Sequence, residues 1–416
     1  MISTLDDALA ALLDFAVRRG PDHDSVAVER QALSLLGDPQ RRLRVIHVTG
    51  TSGKTSTCHF LQGLLQACGR RTGMTVSPHI SAINERVQID GRPLEPRQFC
   101  ADVEHVLDRL TPLRGVMTYF EVVIALAWWV FAREQVDDAI VEVGIGGLHD
   151  ATNVVDRLDK VAVIGPIGLD HTEVLGDTVT QVAAQKAGII GPGNHSFVLN
   201  QDESVLEVVR RRAEQVQATV TVVEPDPARD LSLPVFQRTN WAMARHVVAY
   251  LARRDGFLEP TPDQVEVAKT MAPPARFERF DVAGHEVVLD GAHNPQKMDG
   301  LARTLRGAGY PPMPTLATLS RGDVTKVEAT VAALKPLVTT LIIPEFVLGR
   351  ADLVKESIPA SVMADQARRL GVSARIVSDL DAGLDALLAQ SSRRLLITGS
   401  LYLAGLVRPR LIHWER

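Results

Sequence analysis

The fold is decided by one stretch, Val45-Ile-His-Val-Thr-Gly-Thr-Ser-Gly-Lys-Thr-Ser56. Its apolar beginning predicts a buried strand over Leu43–Val48, and a helix is predicted from about Thr55 to Cys68. The glycines between them let backbone N–H groups surround an anion, to which the helix N-terminus adds partial positive charge. Lys54 adds a full positive charge. A strand, a glycine loop and a helix in this order predict a phosphate-binding loop in an α/β protein.

The loop differs from a complete Walker A motif, because Val48 stands where the first glycine of GxxxxGK[ST] would fall. The Thr55 hydroxyl nevertheless stands where that motif binds the Mg²⁺ that accompanies a nucleotide. A glycine-rich turn with a coincidental lysine is the alternative, but the flanking strand and helix favour ATP binding. No Asn-Lys-x-Asp sequence follows that would bind guanine, which argues against a GTPase switch. The loop alone does not separate kinases from ligases.

Strand-length apolar runs alternate with helix-period segments along the chain, as in α/β folds with a largely parallel sheet. Ala139–Val143 and Lys160–Ile164 are two such runs, and a Pro/Ala-rich break follows at Met271–Ala275. Beyond the break, further strands are predicted over Glu286–Leu289, Thr315–Leu319, Thr340–Ile343, Ala374–Val377 and Leu395–Thr398. We predict a P-loop-type ATPase domain with a mostly parallel sheet over 1–272, and a smaller Rossmann-like α/β domain over 273–416.

The composition predicts a soluble, cytosolic protein of more than one domain and does not indicate its chemistry. The 416 residues carry 45 basic and 50 acidic side chains, so the formal net charge is −5 and no basic field for nucleic acid is expected. The longest apolar run, 122–132, has 11 residues, fewer than the ~20 that span a bilayer. Three scattered cysteines suit a reducing compartment. We therefore expect a cytoplasmic monomer with no nucleic-acid or membrane partner.

Three ionisable residues beyond the loop are candidates for chemistry. Glu142 ends a hydrophobic strand, where a carboxylate buried without a partner would cost several kcal/mol. A metal ion, a cation or a structural salt bridge would satisfy it. His171 lies in the loop after the next strand, at the same predicted sheet edge as Glu142. Lys186 precedes a helix-ending Gly188, and its spacing alone favours a charge at the helix C-terminus.

Several motifs, taken together, resemble the folylpolyglutamate synthase/dihydrofolate synthase family, within the Mur-type ATP-dependent amide ligases. They occur in family order along most of the chain. The matching segments are Gly50–Ser56, Ser77–Ile80, Asn84–Arg86, Phe120–Glu121, Glu142–Gly147, Asp150–Asn153, Leu169–Thr172, Lys186–Ile189, Asp290–Pro295 and Thr398–Tyr402. The resemblance implies a Mur-ligase-type ATP-binding domain over 1–272 and a glutamate-ligase domain over 273–416.

The resemblance implies roles for residues of the first domain. Those expected to surround ATP are Gly50, Thr51, Ser52, Gly53, Lys54, Thr55, Ser56 and Asn240, the last against adenine. Two Mg²⁺ sites are expected, one held by Thr55 or Ser56 with Glu142, the other by His171. Lys186 matches the family lysine that is carbamylated, and a carbamate, unlike an ammonium, can ligate metal.

The resemblance also implies an acceptor loop and a set of residues in the second domain. The acceptor-loop residues are Ser77, Pro78, His79, Asn84 and Arg86. Arg276 matches a family arginine that reaches the ATP phosphates. Asp290 and His293 are expected near the nucleotide and the incoming amino acid.

The implied activity is an ATP-dependent addition of L-glutamate to a folate-type acceptor through an acyl phosphate, in folate biosynthesis and one-carbon metabolism. Dihydropteroate as acceptor would mean dihydrofolate synthase, and a reduced folate would mean folylpolyglutamate synthase. A glutamate ligase with a non-folate acceptor is an alternative. A cell-wall Mur ligase is less favoured, because a phosphate loop near residue 49 leaves little chain for a UDP-binding domain. A non-catalytic nucleotide switch would not need His171, Lys186 or the 290–295 motif.

Some positions depart from the family pattern. Ser52 replaces an asparagine, Leu148 replaces an arginine, and Ala275 replaces the glycine of a Pro-Gly-Arg sequence. An acidic-lysine cluster expected after the second strand of the second domain is weak, with Asp323 and Lys326 as its candidates. These departures leave ATP-dependent ligation in place and bear on which acceptor is used.

Overall fold

The chain divides into two compact units, one of residues 1–233 and 237–272 and one of 234–236 and 273–416. The computed structural model describes all residues except 1, 19, 21, 225–229, 231–232, 272, 322–324, 349–354 and 416, together with the side chains of 325, 326 and 355. Asp323 and the side chain of Lys326, the candidates for the acidic-lysine cluster, thus lie outside the described residues. The functional assignment of the two predicted domains stays a prediction.

The first unit is built on a mixed sheet of eight strands in the order β4-β3-β2-β5-β1-β6-β7-β8. Its strands are β1 Arg44–Thr49, β2 Thr72–Thr75, β3 Gln88–Ile89, β4 Arg92–Pro93, β5 Asp138–Glu142, β6 Val161–Ile164, β7 His195–Leu199 and β8 Thr219–Val223. The six strands from β2 to β8 in this order pair in parallel, and the short β3 and β4 form an antiparallel edge. Asp90 and Gly91, with φ of 49° and 72°, make the two-residue turn between β3 and β4.

Helices cover both faces of this sheet. They are α1 Leu5–Phe15, α2 Ser25–Leu35, α3 Lys54–Ala67, α4 Pro96–Arg109, α5 Tyr119–Arg133, α6 Thr172–Leu175, α7 Val179–Ala187, α8 Glu203–Gln215, α9 Val235–Asp255 and α10 Pro262–Lys269. Along β1, Val45 packs in the core that contains α5, whereas Ile46 and Val48 pack in the core that contains α3. Because successive side chains of a strand face opposite ways, a sheet buried on both faces needs the unbroken apolar run that the sequence shows.

The second unit contains a six-stranded sheet in the order β15-β12-β11-β16-β10-β9. Its strands, with those of a separate two-stranded ribbon (β13 and β14), are β9 Glu278–Val282, β10 His285–Leu289, β11 Met313–Ala317, β12 Val338–Ile343, β13 Val347–Leu348, β14 Lys355–Glu356, β15 Ser373–Ile376 and β16 Arg394–Thr398. Its helices are α11 Pro295–Gly307, α12 Thr325–Leu334, α13 Ala360–Arg369, α14 Leu380–Leu388 and α15 Leu401–Glu415. All strand pairs of the large sheet are parallel except β9 with β10.

The predicted fold class is confirmed, since both units carry parallel-dominated sheets with helices between the strands. The predicted strand over 43–48 and helix over 55–68 are observed at Arg44–Thr49 and Lys54–Ala67. Leu43 instead ends a short 3₁₀ turn, Pro39–Arg42, so the strand starts one residue later. Among the described helices, none combines the length and the apolar character that crossing a membrane requires.

Candidate functional site

The phosphate loop of the first unit joins β1 to α3 with the backbone that the glycines predict. Gly53 precedes α3 with a φ of 79°, a left-handed conformation that favours glycine. A Cβ atom on Gly53 would also lie 2.2 Å from the Asn240 side-chain oxygen. Asn240 therefore packs directly against the loop, as a nucleotide-contacting residue would need to. Its contact with adenine stays a prediction.

Two lysine side chains converge on one carbonyl of this loop. Lys54 Nζ and Lys186 Nζ each donate a hydrogen bond to the Gly50 carbonyl oxygen, at 3.0 Å in both cases. Lys186 lies in the last turn of α7, as its spacing predicts, but it is only 3% exposed, so its amine is buried rather than solvated. Burial, together with the positive charge of Lys54, lowers the pKa of Lys186 to about 7. A buried amine with such a pKa is largely neutral just above neutral pH and is therefore nucleophilic.

Glu142 lies at the carboxyl end of β5 and is 2% exposed. The Thr55 hydroxyl donates to both of its carboxylate oxygens, at 2.9 and 3.0 Å, and the Ser77 backbone N–H donates to one of them at 3.1 Å. A hydroxyl and a carboxylate side by side are oxygen ligands of the kind that Mg²⁺ prefers. Ser56, the other predicted ligand, is buried in the first turn of α3. In the described parts of the chain, no three His, Cys, Asp or Glu side chains cluster to hold a metal.

The loop after β6 packs against the phosphate loop and carries His171. The Thr51 N–H donates to the Pro166 carbonyl at 2.8 Å, and the Thr51 hydroxyl donates to the Gly168 carbonyl at 2.9 Å. The His171 side chain is 47% exposed, and its Nδ1 lies 3.5 Å from Glu173. The predicted sheet edge is therefore observed, whereas a second Mg²⁺ site at His171 stays a prediction.

The predicted acceptor loop is held by Glu85, which lies within the matching segment Asn84–Arg86 but was not among the predicted site residues. The Glu85 carboxylate accepts hydrogen bonds from the N–H groups of Ile80, Ser81 and Ala82, at 2.7 to 3.0 Å. An acidic side chain three residues after Ala82, at the start of a helical turn, is the sequence signal that could have indicated this role. The loop thus has a defined conformation, with its Pro78 following a cis peptide bond.

Two of the predicted acceptor-loop side chains make anchoring contacts inside the first unit, and a third, His79, is partly buried beside them. Asn84 donates to the Leu94 carbonyl at 2.8 Å, and the Arg86 guanidinium lies 5.5 Å from the centre of the Phe120 ring. Burial, and then the positive charge of Arg86, lower the pKa of His79 to about 4, so its imidazole is neutral at physiological pH. The contacts of these residues with an acceptor stay a prediction.

In the second unit, Asp290 follows β10 and is buried. Its carboxylate accepts hydrogen bonds from the N–H groups of Phe277 and Ala292, at 2.9 and 2.8 Å. Burial raises the pKa of the Asp290 carboxyl, and the positive charge of Arg276 opposes that rise. Asp290 therefore holds two backbone segments together, the one at Phe277 and the one at Ala292.

His293 has its ring orientation fixed by two neighbours. Its Nδ1–H donates to the Gly291 carbonyl at 2.7 Å, which leaves Nε2 to accept a hydrogen bond from Lys297 Nζ at 3.1 Å. Lys297 was not singled out from the sequence. It lies in the first turn of α11, whereas His293 precedes that helix, so no helical spacing indicates the contact. Lys297 thus places a positive charge beside His293, the residue that is predicted to lie near the incoming amino acid.

Ala275 occupies a backbone conformation that explains why glycine is usual in the family at this position. Its φ is 54°, in the left-handed region that costs a residue with a Cβ about 1–2 kcal/mol.

Replacing Ala275 by glycine is therefore expected to stabilise the second unit by up to about 1 kcal/mol. Glycine removes the strain of the left-handed conformation, but it loses about 0.5–1 kcal/mol more backbone entropy on folding. Denaturant unfolding measures the change. Ala308→Gly, at an ordinary φ of −88°, should destabilise instead, and an equal loss in both variants would contradict the expectation.

Comparisons with known proteins identify two consecutive ligase domains in the chain. The chain matches the family models described as "Mur ligase middle domain" over residues 48–240 and "Mur ligase, glutamate ligase domain" over residues 275–401. A folylpolyglutamate synthase of Arabidopsis thaliana is 31% identical over 332 residues, which are 72% of this chain and 58% of that protein. A dihydrofolate synthase/folylpolyglutamate synthase of Mycobacterium tuberculosis is 34% identical over 321 residues, 66% of this chain and 64% of that protein.

Solved structures are similar over almost the whole chain. The apo form of L. casei FPGS (folylpolyglutamate synthase) is 28% identical, with a TM-score of 0.81, and the match covers 98% of this chain and all of that one. E. coli FolC in complex with DHPP and ADP is 25% identical with a TM-score of 0.80, and covers 99% and 98%. The chain nevertheless spans less than two thirds of the length of the curated relatives above. From the two consecutive family models and these relatives, the chain belongs to the Mur ligase superfamily, in the family of folylpolyglutamate and dihydrofolate synthases.

Proposed function

We propose that the protein is an ATP-dependent ligase that adds L-glutamate to a folate-type acceptor. The observation that carries this proposal is the phosphate loop whose Thr55 hydroxyl contacts the Glu142 carboxylate while Lys54 and Lys186 share the Gly50 carbonyl. These groups suit a nucleotide with its metal ion at the carboxyl ends of parallel strands. Relatives support the substrates, since solved structures include an FPGS–AMPPCP–folate complex and E. coli FolC with DHPP and ADP.

The proposed reaction has two steps. An acceptor carboxylate oxygen attacks the γ-phosphorus of ATP, so that an acyl phosphate forms and ADP leaves. The amine of glutamate then attacks the acyl carbon, and the tetrahedral intermediate expels phosphate as the amide forms. Lys54 would neutralise charge on the transferring phosphoryl group, which is the dominant requirement of this chemistry. Arg276 is assigned the same task from the family resemblance.

Mg²⁺ fits the donor set of the first unit. Thr55 or Ser56 would hold one ion with Glu142, and the resemblance assigns His171 to a second. As a carbamate, Lys186 could also ligate metal. When bound, Mg²⁺ would neutralise phosphate charge and orient the phosphate oxygens. Glu142 is kept in place for that role by Thr55 and the Ser77 N–H.

The cytoplasm is the proposed compartment, because all three cysteines are free thiols.

ADP release is the test that separates the candidate functions. We expect release that depends on both glutamate and a pterin acceptor, measured with dihydropteroate, with tetrahydrofolate and with neither. Activity with dihydropteroate would indicate dihydrofolate synthase, and activity with tetrahydrofolate would indicate polyglutamate extension. ADP release without glutamate would instead favour a nucleotide switch. No release with either pterin would refute the folate assignment and favour a different carboxylate acceptor.

A further inference from the structure

The backbone around Arg276 is unusual in the second unit. Ala275 and Phe277, the residues on either side of Arg276, have φ values of 54° and 58°. Both are left-handed conformations that residues with a Cβ rarely adopt, and such residues persist only where surrounding contacts over-determine them. Something must therefore hold this segment in place.

Two carboxylates supply that restraint. A Glu278 oxygen accepts the Ala275 N–H at 2.8 Å, and an Asp290 oxygen accepts the Phe277 N–H at 2.9 Å. The Ala275 carbonyl in turn accepts the Gly291 N–H at 2.9 Å. The amides before and after Arg276 are thus both tied to acidic side chains, and the direction in which the Arg276 side chain leaves the backbone is set by them.

Glu278 is itself fixed by an arginine far away in the sequence. Arg408, on α15, forms a two-pronged pair with Glu278: Nε lies 2.9 Å from one carboxylate oxygen and a terminal nitrogen lies 2.8 Å from the other. Arg408 Nε also lies 3.0 Å from the second oxygen, and the oxygen 2.9 Å from Nε is the one that accepts the Ala275 N–H. Both side chains are about three quarters buried, with 24% and 23% exposed. The planar guanidinium fixes the carboxylate orientation in a way that a lysine ammonium cannot.

We propose that Arg408 is a positioning residue which acts through Glu278 to aim Arg276. This inference rests on the proposed function, in which Arg276 contacts the nucleotide phosphates. A surface ion pair that merely joined α15 to β9 would need no shared oxygen and no left-handed residues. Because a displacement of about 1 Å in a catalytic group can cost about a hundredfold in rate, loss of the Arg408 pair should be visible in turnover.

A double-mutant cycle on glutamate-dependent ADP release tests the proposal. Arg408→Met should lower kcat/KM for ATP by about tenfold to a hundredfold, and Arg408→Lys, which keeps the charge but not the paired geometry, should lower it less. In an Arg276→Ala background the same Arg408 variants should cause no further loss, while the shift in Tm caused by Arg408→Met stays equal in both backgrounds. An equal fold-loss in both backgrounds would overturn the proposal.

A readout that needs no turnover keeps this test separate from the ligase assignment. Hydrogen exchange of the Ala275 and Phe277 amides, measured on the full chain without ligands, should become faster in Arg408→Met. Arg410→Met is the matched control, because Arg410 lies on the same helix and pairs at 2.9 Å with the exposed Asp381. It should change neither exchange nor activity. If wild-type protein releases no ADP, the proposed function fails, whereas unchanged exchange in Arg408→Met refutes the positioning role.

Discussion

Replacing Glu142 by glutamine is expected to lower kcat by about a hundredfold or more while the chain stays folded. Glutamine keeps the volume of the side chain and one oxygen for the Thr55 hydroxyl or the Ser77 N–H, which hold Glu142 in place. It removes the negative charge that would hold Mg²⁺ beside the nucleotide phosphates. ADP release measured over a range of Mg²⁺ concentrations should show the loss, with a greater Mg²⁺ requirement for any residual activity.

The same strand provides the control for Glu142. Asp138 lies at the amino end of β5, is also buried, and accepts a hydrogen bond from Arg70 at 2.8 Å. Because active groups of such sheets gather at the carboxyl ends of the strands, Asp138→Asn should cost stability and leave kcat near that of the wild type. Glu142→Gln should do the reverse. Similar losses of activity in both variants would show that damage to the sheet, rather than a lost metal ligand, explains the result.

The parts of the fold and site that local pattern controls could be predicted from the sequence. The strand, the glycine loop and the helix over residues 45–56 depend on neighbours in the chain, so their order and approximate bounds follow from the pattern. Thr55 and Glu142 were assigned to one Mg²⁺ site by the family resemblance rather than by local pattern. The parallel pairing of β1 with β5 is the tertiary contact that brings the two strand ends together. Apolar strands that end in polar residues are enough to predict this edge.

The parts that tertiary contact controls could not be predicted. Spacing correctly placed Lys186 at the C-terminal end of a helix, but it did not predict that the packing of α7 buries the amine against Gly50. Arg408 and Glu278 are 130 residues apart, and neither belongs to a motif that would have linked them. The chemistry at such positions depends on which side chains the fold brings together. Hydrophobic periodicity and short motifs in a single sequence do not reveal these long-range contacts.

Replacing Lys186 by methionine is expected to abolish ligation without destabilising the fold. The Lys186 pKa is lowered from 10.5 to about 7, and a tenfold change in a protonation equilibrium corresponds to about 1.4 kcal/mol. The unfolded chain holds the proton up to a higher pH than the folded chain. The cost of burying the amine is thus fully present below pH 7 and disappears as pH rises from about 7 to 10.5. Methionine removes this cost, so its denaturation midpoint should equal or exceed that of the wild type, most clearly below pH 7.

Loss of activity in that variant would follow if Lys186 is the lysine that carries a carbamate. Its neutral amine would attack CO₂ and release one proton, and the resulting carboxylate could ligate metal where an ammonium could not. Intact-mass measurement under bicarbonate should find one added CO₂ on wild type and none on Lys186→Met.

Lys160→Met is the matched control for the Lys186 variant. Lys160 is also buried, with 2% of its surface exposed and its pKa lowered to about 8, but it precedes β6 at the opposite end of the sheet. Both variants remove a buried amine, so both should gain stability, yet only Lys186→Met should lose turnover. Full activity in Lys186→Met would leave the buried lysine with a structural role alone.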